Sequence, residues 1–75
     1  MPHVAVKLWP GRSEEQKTRL AEAIVKDVMT YLNSSEGSVS VTIEEVKQED
    51  WTEQVYNPEI QGRWARLYKK PGYKP

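Results

Sequence analysis

The chain has 75 residues, with 11 Lys and Arg balanced by 11 Asp and Glu, a single histidine and no cysteine. Zero formal charge gives no general attraction to nucleic acid or to an anionic membrane, and the missing thiols exclude disulfides, thiolate zinc sites and cysteine nucleophiles. So short a chain supports one domain, residues 1–75, and buries only about 60% of its unfolded surface, which makes a second subunit the expected added support.

A strand is expected over residues 3–9, where Val4, Val6 and Leu8 alternate with His3, Ala5, Lys7 and Trp9. Pro10-Gly11 stops it. Ser13 followed by Gln16 is a capping-box pattern, so a helix should begin near Ser13. Its apolar positions, Leu20, Ala23, Ile24, Val28, Tyr31 and Leu32, recur by threes and fours. The run NSSEGS at 33–38 supplies a loop, and residues 38–46 alternate again, with Val39, Val41, Ile43 and Val46 on one side and Ser40, Thr42 and Glu44 on the other.

Strand, helix and strand make a βαβ unit with parallel strands and a right-handed crossover. Parallel sheets need both faces covered, and one helix covers only one, so the architecture asks for a second copy. In the last third, Asp50 with Glu53 opens a short helical turn carrying Trp51, Val55 and Tyr56. Asn57-Pro58 reads as a fresh start, Asn at the cap and Pro at the first helical position, for a helix through Ile60, Trp64, Leu67 and Tyr68. Pro71-Gly72 ends it. The basic residues Arg63, Arg66, Lys69, Lys70 and Lys74 match what a helix C-terminus favours. No apolar run approaches the ~20 residues of a membrane span, and no signal peptide is recognisable, so a soluble cytoplasmic protein is expected.

Pro2 is the first candidate for chemistry. Proline is permitted at the start of a strand, because that position need not donate to the ladder. Removal of Met1 would also turn it into a free secondary amine, a base and nucleophile. Such an amine works at neutral pH only where desolvation disfavours its charged form. Arg12 follows the Pro-Gly break just before the helix, at a loop edge where binding residues concentrate, and a guanidinium grips a carboxylate through two parallel bonds. Trp51 can wall an apolar pocket, and Ser40 can donate one hydrogen bond from the polar face of its strand. The loop PGRS lacks the glycines and lysine of a phosphate cradle, and a lone histidine leaves little material for a nucleophilic triad.

Together these residues resemble the 4-oxalocrotonate tautomerase family. The loop GRSEEQK at 11–17 is similar to that family's arginine-bearing loop, and SVSVTIEEV at 38–46 to its second strand. The opening MPH, LNS at 32–34 and the ending KKPGY resemble the PptA-like branch of small bacterial tautomerases. The resemblance implies an α/β fold, a tautomerase-type βαβ unit with a C-terminal helical segment, two copies of which pair into a four-stranded sheet. It also implies a keto-enol tautomerase for 2-oxo acids without cofactor or metal. Pro2 would be the general base, Arg12 would hold a substrate carboxylate, and Trp51 would keep the site apolar. Where the family's founding enzyme carries a second arginine, this chain has Ser40, which points from a diacid toward a monocarboxylate such as an aryl enolpyruvate. The tail resembles the dimeric branch, so a dimer is expected rather than a hexamer. Two other readings stand beside this one: a hydrolytic dehalogenase of the same superfamily, with Glu53 activating water, and a non-catalytic oligomeric interaction domain.

Overall fold

The computed structural model describes residues 1–75. Strand β1 spans His3–Leu8 and pairs in parallel with β2, Ser40–Glu45, from His3 opposite Ser40 to Leu8 opposite Glu45. These two strands are the whole sheet, so each keeps one open edge. Between them runs helix α1, Glu14–Leu32. The chain turns from β1 into α1 at Gly11, whose φ of 123° is a conformation that glycine adopts without steric cost.

Ser13 caps α1 as its spacing predicts. Its hydroxyl accepts from the Gln16 N–H at 3.1 Å, and the Gln16 side chain accepts from the Ser13 N–H at 2.8 Å. Glu14 and Glu15 in the first turn suit the positive end of the helix dipole. Asn33 stops the helix in the left-handed region, at φ 55° and ψ 42°, which Asn tolerates better than most residues.

The face of α1 toward the sheet is the one its periodicity indicates only in part. Ala21, Ile24, Val25 and Val28 are half-buried, whereas Leu20, Ala23, Tyr31 and Leu32 are exposed. Geometry explains the last two: 19 helical residues run about 28 Å, while six strand residues run about 20 Å, so the final turn overshoots the sheet.

The fully buried core lies at the other end of the sheet, where Val46, Val55 and Tyr56 meet. Val46 donates its N–H to the Leu8 carbonyl at 2.8 Å, which carries the ladder one step past β2.

The last third departs from the expected pair of helices. After a 3₁₀ turn at Gln48–Asp50 the chain enters a π-helical segment, Thr52–Ile60, which passes directly into a 3₁₀ segment, Gln61–Arg66. Asn57 and Pro58 therefore lie inside a helical segment rather than at the start of one. The N–H that Pro58 lacks would have faced the carbonyls of Glu53 or Gln54, both exposed residues, whose oxygens water can satisfy. The Gln61 N–H is shared between the Asn57 and Tyr56 carbonyls, a mark of the widened turn. Helical structure stops at Arg66, so Leu67 is extended and Tyr68 lies fully in solvent, contrary to the apolar stripe expected there. No helix is long and apolar enough to cross a membrane.

Candidate functional site

Beyond the carboxyl end of β1 lies an open groove of about 370 Å³, lined by Lys7, Leu8, Trp9, Arg12, Trp51 and Tyr73. In sheets of parallel strands this is the end where ligands bind. Three separate stretches build it: the end of β1 and its turn, the junction before the π-helical segment, and the tail. The two indoles meet edge to face, with ring centroids 6.5 Å apart and planes at 89°. Trp51 donates its indole N–H to the Tyr73 hydroxyl at 2.8 Å.

The two cations of the groove differ in availability. Lys7 is paired with Glu59 of the π-helical segment, and that carboxylate holds its ammonium above the usual lysine range. Arg12 makes no salt bridge; the chain's ion pairs are Lys7–Glu59, Lys17 with Glu14 and Glu45, and Arg19–Glu15. Arg12 therefore sits exposed, with its guanidinium free, between Gly11 and the Ser13 cap. A free guanidinium on an aromatic-walled groove is suited to the carboxylate of an otherwise apolar acid.

Of the four residues singled out from sequence, the groove brings together Arg12 and Trp51. Pro2 and Ser40 lie at the opposite end of the sheet. There the Ser40 N–H donates to the Pro2 carbonyl at 3.2 Å, and the Ser40 hydroxyl lies 2.6 Å from His3 Nδ1. The six residues of β1 separate the two pairs by about 20 Å. One chain alone does not unite its own Pro2 with its own Arg12. Met1, ahead of Pro2, is fully exposed, and Pro2 itself is half-buried.

Glu53, the carboxylate that a water-activating reading would need, is exposed and does not line the groove. Two aromatic lining residues escape a reading of sequence. Trp9 reads as one more position in the strand alternation, and Tyr73 follows Pro71-Gly72, which looks only like a terminator. The one signal for Tyr73 is an aromatic placed just past a rigid break.

The family model described as "Tautomerase enzyme" matches residues 2–56 of the chain. The chain is 46% identical over 74 residues to Tautomerase PptA of Enterobacter sp. (strain 638), covering 97% of each protein. It is 42% identical over 73 residues to a probable tautomerase of Xylella fastidiosa (strain 9a5c), covering 97% of this chain and 89% of that one. Among solved structures it is similar to TomN, a 4-oxalocrotonate tautomerase homologue in the tomaymycin biosynthetic pathway. That match has a TM-score of 0.65 and 30% identity over 85% of this chain and 95% of the other. YwhB, another homologue of 4-oxalocrotonate tautomerase, matches with a TM-score of 0.61 and 38% identity over 63% and 77% of the two chains. On the match across residues 2–56 and the likeness to relatives along almost the whole chain, this protein belongs to the tautomerase family.

Proposed function

We propose that the protein is a cofactor-independent tautomerase that ketonises the enol of a monocarboxylic 2-oxo acid, with Pro2 as general base once Met1 is removed. The observation that carries this reading is the unpaired guanidinium of Arg12 on a groove walled by Trp9 and Trp51. Arg12 holds the carboxylate and the indoles cover the apolar part of the acid. The Pro2 nitrogen takes the enol hydroxyl proton, the oxygen becomes the keto group, and the proton returns to the neighbouring carbon. Proton transfer by a positioned base contributes typically about 10²–10⁴-fold.

The separation of Pro2 from Arg12 is resolved by a homodimer. The outer edge of β1 is unpaired, and two such edges can pair antiparallel about a two-fold axis. An axis crossing near Ala5 sets Pro2 of one subunit beside Leu8 of the other, at the mouth of the groove. Each site then takes Pro2 and Ser40 from one subunit, with Arg12 and Trp51 from the other. The small core of the single chain and the exposed Leu20, Tyr31 and Leu32 support a covered, oligomeric state.

The test is the ultraviolet-followed ketonisation of phenylenolpyruvate, with intact mass showing Met1 gone. Catalysis that vanishes when Met1 is retained, or in Pro2→Ala, supports Pro2 as the base; a rate no faster than buffer overturns the reading. Mixing Pro2→Ala with Arg12→Ala subunits then tests the shared site. Random exchange gives one intact site in half the dimers, so about a quarter of the wild-type activity returns.

A further inference from the structure

We propose that Tyr73 is a specificity-determining residue: anchored on Tyr56 and hydrogen-bonded to Trp51, it fixes the aromatic wall of the groove that receives the acid held by Arg12. This role rests on the tautomerase reading for the identity of the groove as the substrate site, and on the geometry of the tail for the rest. Tyr73 is the only groove residue from the last quarter of the chain. Its ring packs on that of Tyr56, with centroids 5.7 Å apart and planes tilted by 48°. Tyr56 is one of the three buried residues, so Tyr73 rests on the core rather than on loose surface. Pro71, half-buried two residues earlier, restricts the backbone that delivers it.

The hydrogen bond settles the polarity of the wall. An indole N–H is donor only, and that of Trp51 has Tyr73 Oη as its acceptor at 2.8 Å. Trp51 is thereby held in one orientation against Trp9, and its N–H is already satisfied by Tyr73. A tyrosine hydroxyl that accepts one bond keeps its own proton to donate. Lys7 is committed to Glu59, so Tyr73 adds a neutral donor to the groove that the Arg12 guanidinium also lines. A planar aryl acid fits this arrangement, with its ring against the fixed indoles and its polar end between Arg12 and the Tyr73 hydroxyl.

Tyr73→Phe removes the acceptor and the donor while leaving the ring on Tyr56. The probe is 3-phenylpropanoate, a stable aryl acid, titrated by tryptophan fluorescence against the full chain, Tyr73→Phe and Tyr73→Ala, with thermal melts as the check on folding. The expected result is a rise in Kd of roughly 3- to 10-fold in Tyr73→Phe. It is accompanied by a shift of the Trp51 indole proton in the NMR spectrum and by a higher KM for phenylenolpyruvate at little-changed kcat. Should Tyr73→Phe lose its cooperative melt, the shift of the Trp51 indole proton on adding 3-phenylpropanoate to the wild-type chain is the second readout, and its absence overturns the proposal. Binding in Tyr73→Phe equal to wild type overturns the proposal, and if Tyr73→Ala alone weakens binding the residue is only packing. A wild-type chain that does not bind the probe overturns it as well. Probe binding that weakens in Tyr73→Phe, in a protein that does not ketonise phenylenolpyruvate, upholds the role of Tyr73 and removes the tautomerase reading instead.

Discussion

The backbone N–H of Ser40 donates to the carbonyl of Pro2 at 3.2 Å, and the same serine sets its hydroxyl 2.6 Å from His3 Nδ1. The backbone bond survives any side-chain change at Ser40, so Ser40→Ala isolates the hydroxyl. We expect a thermal midpoint close to wild type. The kcat/KM for phenylenolpyruvate should fall by roughly 3- to 10-fold, the worth of one hydrogen bond. Steady-state kinetics and a thermal melt on the same sample check both halves.

Gly62 is fixed by the widened turn before it. A Cβ at this position would lie 2.9 Å from the Asn57 carbonyl oxygen, a backbone atom that cannot swing aside. Gly62→Ala should destabilise the fold by about 1–3 kcal/mol, as overpacking does elsewhere. Urea unfolding would show a lower midpoint, and Gly37→Ala, with open space at its Cβ, is the matched control.

Loss of the capping box at the start of α1 should be felt twice. Ser13→Ala leaves the Gln16 N–H without its acceptor and should cost about 1 kcal/mol. Ser13 also directly follows Arg12, so a frayed first turn loosens the guanidinium. The measurement is the urea midpoint together with KM, which rises if Arg12 binds the carboxylate.

Alkaline pH should weaken the fold through two lysines. Glu59 raises the pKa of Lys7, and Glu14 first, then Glu45, raises that of Lys17, both above the ordinary value of 10.5. A raised folded-state pKa gives stability that is complete below 10.5 and is lost as pH climbs through the folded value. The thermal midpoint should therefore fall on going from pH 10 to higher pH. Glu59→Gln should flatten that fall, and equal slopes in the two proteins would exclude the Lys7 contribution.

Strong local signals made the βαβ part of the chain legible. Alternating Val4, Val6 and Leu8, the Ser13–Gln16 pair and Val39, Val41 and Ile43 each specify their own element, and their order leaves one pairing. The last third misleads because Asn57-Pro58 has the chemistry of a helix start, while the packing of Val55 and Tyr56 carries the chain straight through it. Leu67 and Tyr68 keep helical spacing after the helix has ended, since spacing carries no record of backbone angles. For the site, Arg12 and Trp51 were readable as types of residue at breaks in the pattern. Tyr73 was not, because its contact with Trp51 spans 22 residues of chain. The placement of Pro2 and Arg12 at opposite ends of one strand was legible too, since the strand expected over residues 3–9 lies between them.

That strand has a consequence for how such chains can vary. β1 serves as a ruler between Pro2 at its start and the Arg12 guanidinium beyond its end. One added residue would turn Val4 and Val6 from the helix-facing side to the other. Two added residues would restore the facing but lengthen the ruler by about 7 Å. Neither change can be absorbed at the far end, where Gly11 and the Ser13 cap fix the turn. Insertions and deletions are therefore barred from residues 2–13, and variation in length is left to the loop at 33–38 and to positions past Tyr73.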